Sequence, residues 1–217
     1  MTGGHLKLNL GCGLNAPPGW INIDASLTAR LSMHRKLYNV LCKLGHIEPI
    51  AWPKNIKISD VRKGIPFPDN SARAIFSHHM LEHMDYEDAD FVIREGHRCL
   101  CEGGVIRIIV PDLYTLAKRY VDSMNSDPQA DHSHDFLRVL NMHDQKHKGA
   151  LKIVYKICGH SKHRYMYDYW SLKRMFSNNG FIDIQKMKYG ESRIPDVNLV
   201  EGTVKYDSSL CLEGIKR

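Results

Sequence analysis

Short runs of apolar, often β-branched residues alternate along the chain with longer stretches in which apolar residues recur at helical spacing. The short runs predict seven strands, at residues 6–10, 20–23, 56–59, 74–77, 105–110, 181–188 and 209–214. The longer stretches predict helices at residues 27–44, 85–100, 113–124, 135–158 in two pieces, and 169–179. Such alternation is typical of an α/β fold with a mainly parallel sheet. The pattern predicts no helix between the last two strands, so we expect them to pair antiparallel.

Two segments are longer than a simple alternation of strands and helices requires. Residues 25–55 carry apolar side chains near helical spacing, with basic residues elsewhere, and we interpret them as a surface helix packed on the core rather than a membrane attachment. Residues 122–163 begin with a polar stretch and continue into two predicted helices, which we interpret as a cap near the active site. We therefore expect one domain over residues 1–217, with helical insertions at about 25–55 and 122–163.

Composition agrees with a single domain that has a full core, because 43% of the 217 residues are hydrophobic and 25% are charged. The six cysteines are scattered without a CxxC pair, which favours a reducing compartment over a disulfide framework. No apolar run reaches the length of a membrane span, and the first residues leave no room for a signal peptide. We expect a cytoplasmic protein without a transmembrane segment.

The net charge of +6 arises from one part of the chain. Between residues 143 and 174 there are eight Lys and Arg against two Asp, so the remainder of the chain is balanced. A local excess of this kind indicates a local anionic partner rather than a surface that grips a polyanion along its length. We expect Lys146, Lys148 and Lys152 to contribute to binding that partner.

A pair of glycines follows the first predicted strand, in the sequence LNLGCG at residues 8–13. Glycines at the carboxyl edge of a first parallel strand let a ligand approach the backbone closely. Asp24 ends the second strand, where it could accept hydrogen bonds from ribose hydroxyls, and Asp60 follows the third, where it could accept one from an adenine amino group. Because Asp24 comes only 11 residues after Gly13, no room is left for the helix that would hold the pyrophosphate of NAD.

The order of the motifs resembles that of the class I S-adenosylmethionine-dependent methyltransferases, in particular their small-molecule branch, the methyltransferase type 11-like proteins. The motifs occur in the order LNLGCG, GWINID, SDVRKGIPFPDNSARAIFSHHMLEHM and LCEGGVIRIIVPDL, and HRYMYDYWSLKRMFSNNGF and SSLCLEGIK look like the last helix and the terminal strands of that branch. The resemblance implies a Rossmann-like, seven-stranded, mainly parallel sheet with an antiparallel last strand, and S-adenosylmethionine as cofactor. The cofactor contacts that it implies are Gly11, Cys12, Gly13, Asp24, Asp60, Val61, Ser77 and His78.

Two features depart from the family pattern. Only residues 14–19 separate the first two predicted strands, which is short for a crossover, so we expect the first helix to be reduced to a turn. Arg73 stands just before the fourth strand, where many members of the family carry an acid, so any role of that acid is lost here.

Catalytic candidates must lie near the carboxyl edge of the sheet, where open α/β folds bind their ligands. Methyl transfer from a sulfonium is an in-line displacement, which needs a base only when the acceptor is a poor nucleophile such as a sugar hydroxyl or a protonated amine. His79 and His163 are the candidate bases, because imidazole titrates near neutral pH. Asp112 could orient either one. Glu82 and His83 are interpreted as residues that fix a turn.

Metal binding is a competing interpretation of the thirteen histidines. His79 and His83 are four residues apart, as are His143 and His147, and this spacing suits zinc on a helix. The chain has no HExxH motif and no cysteine pair, however, and so many dispersed histidines produce chance pairs. We expect no required metal.

The leading hypothesis for function is transfer of a methyl group to a small-molecule or saccharide-like acceptor. Members of the branch look like partners of glycosyltransferases in making surface polysaccharides, so the resemblance suggests a sugar, including one that carries phosphate or a nucleotide. The basic segment would then hold the anion.

Two alternatives stay open. The positive segment would also suit a nucleic-acid methyltransferase, although the chain has no appended RNA-binding module, and NAPPGW at residues 15–20 only echoes the adenine-methylase motif. Arg73 and the uncertain base would suit a regulator that binds S-adenosylmethionine without catalysis. The pattern makes no prediction of the oligomeric state.

Overall fold

The computed structural model describes residues 6–141, 162–202 and 207–217. Seven strands form one sheet: β1 Leu6–Leu10, β2 Ile21–Asp24, β3 Ile56–Ile58, β4 Ala72–His78, β5 Leu100–Pro111, β6 Phe181–Lys186 and β7 Ser209–Lys216. Their order is β3-β2-β1-β4-β5-β7-β6. The pairs from β3 to β5 are parallel, and β7 runs antiparallel to both β5 and β6. The predicted Rossmann-like sheet with its antiparallel last strand is therefore confirmed.

Seven α-helices accompany the sheet in the described part of the chain. They are α1 Leu27–Ser32, α2 Arg35–Lys43, α3 Tyr86–Cys99, α4 Leu113–Ser126, α5 His132–Val139, α6 Tyr169–Asn178 and α7 Asn198–Glu201. Short 3-10 turns follow β3 at Val61–Lys63 and β4 at Leu81–His83. None of the described helices is long and apolar enough to cross a membrane.

Three predicted helical features differ from the structure. The helix predicted at 27–44 is divided between α1 and α2, because Ser32 hydrogen-bonds back to the carbonyl of Ala29 and His34 leaves helical geometry. The helix predicted from residue 135 begins at His132, because the Asp131 carboxylate caps the backbone N–H of His134. The second piece of the helix predicted at 135–158 lies outside the described residues.

The third difference is the connection between β6 and β7. The two strands pair antiparallel as predicted, but their connection contains a helix. The short helix α7 lies between them and buries Val200 and Glu201. Four residues complete barely one helical turn, so no periodic pattern could have predicted this helix.

The central strands are buried on both faces of the sheet. Ile75 packs into the cluster that α3 and α6 complete, whereas the adjacent Phe76 packs with Trp20 and Val200 on the opposite face. Two-sided burial is what a parallel strand between helical layers requires. The sheet is therefore a rigid support for the loops at its carboxyl edge.

A buried ionic cluster ties α7 to the sheet. Arg107 of β5 is fully buried, and its guanidinium donates to Glu201 and, at 2.9 Å, to Glu213 of β7. It also donates to the backbone carbonyls of Lys188 and Glu191, so its donors are satisfied by the segment that precedes α7. The chain between β6 and β7 is held by charge as well as by apolar packing.

The connection between β1 and β2 contains no helix, as predicted for residues 14–19. The side chain of Asn9 donates to the carbonyl of Asn15 and to the side chain of Asn22, each at 2.9 Å. These buried hydrogen bonds hold the short turn against the strands. Because β1 to β5 run parallel, their carboxyl ends meet at one edge, which brings together residues far apart in the sequence.

Candidate active site

A cavity of about 280 Å³ lies at the carboxyl edge of β1, β2, β3 and β4. Among the residues predicted to contact the cofactor, those that line it are Gly11, Gly13, Asp24, Asp60 and Val61. The residues that follow the first three strands therefore lie around one cavity, as the order of the motifs had indicated.

The glycine corner after β1 is open toward this cavity. Gly11 and Gly13 both have positive φ, at 66° and 53°. A Cβ atom on Gly11 would lie 2.7 Å from the Met80 side chain, whereas one on Gly13 would meet no atom within 4 Å. Gly11 is thus required for packing, and Gly13 leaves space in which a ligand can approach the backbone.

Asp24 holds this corner together. Its buried carboxylate accepts from the backbone N–H of Gly13 at 2.9 Å and from that of Ser26 at 2.8 Å. A carboxylate has about four lone-pair positions, so Asp24 can still accept hydrogen bonds from a bound ligand. The predicted contact with ribose hydroxyls is compatible with this geometry.

Asp60 already has strong partners. The Nε and Nη2 atoms of Arg62 donate to its two oxygens at 2.9 and 2.8 Å, and Arg30 lies 3.8 Å away. The side-chain hydrogen bonds from Arg62 lower the pKa of Asp60, which is therefore ionised at neutral pH. An adenine amino group would have to share the carboxylate with Arg62, and the predicted contact stays a prediction.

Cys12, Ser77 and His78 were predicted as cofactor contacts, but they are not among the residues that line this cavity. Burial raises the pKa of Cys12 to about 12, so its thiol is neutral, and burial lowers the pKa of His78 to about 4. The His78 ring packs between Phe76 and His79. The predicted cofactor contacts of these three residues stay predictions.

Trp52 lines the cavity and was not predicted. It follows α2 in the long segment between β2 and β3, and the described residues offer its buried Nε1 atom no hydrogen-bond partner. The sequence feature that could have indicated this role was a tryptophan in the otherwise irregular sequence IAWPK. The segment at 25–55 therefore contributes an aromatic wall to the site.

His79 has an unusual backbone and well-defined side-chain partners. Its φ of 51° lies in the left-handed region, which is costly for a residue with a side chain and is often found at functional sites. Nδ1 lies 2.7 Å from Oε1 of the fully buried Glu82, and Nε2 lies 3.3 Å from Oγ of Ser209. Because an ionised carboxylate can only accept, Nδ1 carries the proton and Nε2 is left as a proton acceptor.

The carboxylate that contacts His79 is thus Glu82, which its sequence position had indicated as a turn residue. The sequence feature that could have indicated this contact was the spacing of three residues between His79 and Glu82 in HHMLEH. Asp112, predicted to orient a base, instead accepts from the backbone N–H of Tyr114 at 3.1 Å and from Oγ1 of Thr115 at 2.9 Å. Its carboxylate is the N-cap of α4.

His163 meets the turn after β4. Its ring lies 5.1 Å from that of His83, centroid to centroid, and the neighbouring Arg164 donates its backbone N–H to the carbonyl of Glu82 at 2.7 Å. Burial lowers the pKa of His163, so its imidazole is neutral at pH 7. The two predicted bases therefore approach the same glutamate from distant parts of the chain.

The basic segment is described only in part. Lys146, Lys148 and Lys152 lie outside the described residues. Arg164 pairs with Asp85 at 2.7 Å. The placement of a cap over the cavity remains a prediction.

Residues 8–108 match the sequence profile of the family described as "Methyltransferase domain". Among solved structures, the chain is similar to the YcgJ protein from Bacillus subtilis, with 15% identity, a TM-score of 0.49, and coverage of 99% of this chain and 93% of that one. It is also similar to an S-adenosylmethionine-dependent methyltransferase, a possible histamine N-methyltransferase, from Thermotoga maritima, with 14% identity, a TM-score of 0.51, and coverage of 99% and 83%. A search of curated protein sequences finds no match.

The profile match begins in β1 and ends in β5, so it contains the glycine corner, both aspartates and the turn that carries His79 and Glu82. The sheet that surrounds these residues has the seven strands and the antiparallel last strand that the motifs implied. The family match over residues 8–108 and the fold together support a class I S-adenosylmethionine-dependent methyltransferase, with S-adenosylmethionine as its cofactor.

Proposed function

We propose that this methyltransferase methylates a hydroxyl group of a small-molecule or saccharide-like acceptor, including anionic acceptors such as sugar phosphates. The observation that carries the proposal is the contact between His79, which lines the cavity, and the buried carboxylate of Glu82. A hydroxyl is a poor nucleophile until it loses its proton, and an imidazole held by a buried carboxylate is suited to accept that proton.

The residues of the corner fit the cofactor. The open space at Gly13 admits a ligand to the backbone, and Asp24 has lone pairs left for hydroxyl groups. Val61, Met80 and Trp52 supply apolar and aromatic surface of the kind that buries a purine ring. When bound, S-adenosylmethionine supplies an electrophilic methyl carbon on a sulfonium.

The base is assigned to His79 rather than His163, because His79 lines the cavity and His163 is not among its lining residues. Nε2 of His79 receives the acceptor proton, and Glu82 stabilises the imidazolium that forms. The Oγ atom of Ser209 lies 3.3 Å from Nε2, and its hydroxyl hydrogen turns away when Nε2 receives the proton. Glu82 takes the orienting role predicted for Asp112.

The preference for anionic acceptors rests on the charge pattern of the chain. The whole net charge lies between residues 143 and 174, which also contain His163. Variants that neutralise Lys146, Lys148 and Lys152 should weaken binding of an anionic acceptor and leave cofactor binding unchanged. A fall in cofactor affinity instead would contradict this placement.

The proposal is tested with labelled S-adenosylmethionine and a panel of acceptors: nucleotide sugars, sugar phosphates, neutral glycosides, RNA and duplex DNA. Transfer of label to a saccharide hydroxyl is expected. Transfer to nucleic acid alone, accompanied by salt-sensitive binding, would favour the nucleic-acid alternative. Cofactor binding by calorimetry without transfer to any acceptor would favour a regulator.

We also propose one methyltransferase domain over residues 1–217 in a cytoplasmic protein. Support for a reducing compartment comes from the cysteines within the described ranges, all of which are free: Cys12, Cys42, Cys99, Cys101 and Cys211.

A further inference from the structure

We propose that Glu82, His83 and His163 form a binding site for a divalent transition-metal ion, with zinc as the best fit. One potential ligand atom from each of these side chains lies within 4.8 Å of the other two. Glu82 and His83 come from the turn after β4, and His163 precedes α6, so only the fold brings the three together. The inference concerns the site itself and does not depend on the identity of the acceptor.

Glu82 provides the first argument. Its side chain is fully buried, and one carboxylate oxygen, Oε1, contacts Nδ1 of His79. The other oxygen, Oε2, is buried without a hydrogen-bond partner in the described part of the chain. An unpaired carboxylate oxygen away from water is costly, and a cation is a partner that removes this cost.

The histidines provide the second argument. Nδ1 of His83 lies 3.1 Å from the carbonyl oxygen of Lys162, so Nδ1 carries the proton and Nε2 keeps its lone pair. A backbone carbonyl that holds one ring nitrogen while the other ligates is the usual support of a metal-binding histidine. His163 offers its Nδ1 atom, which is buried and makes no hydrogen bond with the described residues.

The chemistry of the three ligand side chains indicates which metal ion fits best. Two imidazoles and one carboxylate, with a position left open, form a recurrent zinc site in enzymes. Mg²⁺ and Ca²⁺ prefer oxygen ligands, so the two histidines argue against both. Tetrahedral zinc places its ligand atoms about 3.4 Å apart. Small side-chain rotations would therefore bring the three residues from their present spacing into coordination.

The position of the site relates it to the cavity. His83 lines the cavity together with His79, so a fourth ligand would reach the ion from the cavity side. Water or an acceptor oxygen could take that place. The sequence spacing had suggested His79 with His83, but His79 is committed to Glu82 and Ser209, and His163 replaces it in the site.

The test uses the purified full chain, freed of metal by a chelator and then titrated with Zn²⁺ against a chromophoric competitor. We expect one zinc ion per chain. His83→Ala, His163→Ala and Glu82→Gln should each weaken zinc binding by at least about 100-fold. His134→Ala, at an exposed histidine outside the cluster, should leave it unchanged.

Co²⁺ supplies a readout that does not depend on activity. The wild-type chain should show the visible absorption of four-coordinate cobalt, and His163→Gln should lose it while retaining its circular dichroism spectrum and its binding of S-adenosylhomocysteine. Absence of stoichiometric metal in the wild type would overturn the proposal. Zinc affinity unchanged in all three ligand variants would also overturn it, because the ion would then be held elsewhere.

Discussion

The Nδ1 atom of His79 lies 2.7 Å from the Oε1 atom of Glu82, a side chain with no exposure to solvent. The contact fixes the imidazole at the cavity wall, and the positive φ of His79 shows that the fold accepts backbone strain to keep it there. A rigid imidazole that can accept a proton is the feature that separates a site for hydroxyl methylation from one that only aligns a stronger nucleophile.

His79→Gln should therefore slow methyl transfer to a hydroxyl acceptor by about 10²- to 10⁴-fold, the usual contribution of a general base. Affinity for S-adenosylhomocysteine should change little, because the corner that binds it is built by other residues. Steady-state kinetics and calorimetry measure the two effects separately. His46→Gln, at an exposed histidine, is the matched control. Equal turnover in the two variants would contradict the assignment of His79 as the general base.

A second prediction concerns the glycine corner. Gly13 and Gly19 both have positive φ and open space around a would-be Cβ, but only Gly13 lines the cavity. Gly13→Ala and Gly19→Ala should each lose stability by about 1 kcal/mol from the left-handed backbone. Only Gly13→Ala should also weaken binding of S-adenosylhomocysteine, by about tenfold or more, because its methyl group enters the space of the ligand.

Thermal unfolding and calorimetry on the same two variants decide this prediction. Equal cofactor affinity would mean that the space at Gly13 is not used by the cofactor. A stability loss confined to Gly13→Ala would point to a local packing effect instead.

The sheet could be predicted because each of its strands can be recognised from the residues of that strand alone. Each strand is a short apolar run, and the run at β4 keeps both Ile75 and Phe76 apolar because parallel strands are buried on two faces. The corner at Gly11 and Gly13 could be located for a related reason, since a glycine directly after a strand marks a close turn. Neither prediction required knowledge of long-range contacts.

The rest of the site depends on contacts between distant residues. Nothing in the sequence around Glu82 reveals that His163, some eighty residues later, packs against the same turn. Two other contacts also follow from side-chain packing rather than from a periodic pattern. Arg62 donates hydrogen bonds to the Asp60 carboxylate, and Trp52 lies against the cavity. The sequence therefore indicates the aspartates and histidines of the site but not which of them act together.

A third prediction tests the buried cluster around Arg107. Arg107→Ala would leave the carboxylates of Glu201 and Glu213 buried without their cation, and should cost about 3–5 kcal/mol of unfolding free energy. Arg193→Ala removes a partner of the half-exposed Asp183 and should cost less than about 1 kcal/mol. Urea unfolding of both variants measures the difference. Similar losses would show that the buried cluster is not a main support of α7.

A fourth prediction concerns stability in acid. Arg98 donates to both oxygens of Glu95 at 2.7 Å, and these hydrogen bonds lower the pKa of the Glu95 carboxyl. The folded chain therefore binds this proton less readily than the unfolded chain, whose glutamates titrate near about 4.3. The stabilisation is complete above that pH and is lost as the pH falls through the lower pKa of the folded state.

Glu95→Gln should accordingly be less stable than the wild type at pH 7, and the gap in unfolding free energy should narrow below about pH 4.3. Glu102→Gln, at an exposed position near the start of β5, is the matched control and should cost little stability at pH 7. Urea unfolding at pH 7, 5 and 3.5 provides the comparison. A gap for Glu95→Gln that stays constant or widens in acid would contradict the assigned sign, because it would mean that the protonated carboxyl is the form that Arg98 and the backbone N–H of Ile65 stabilise.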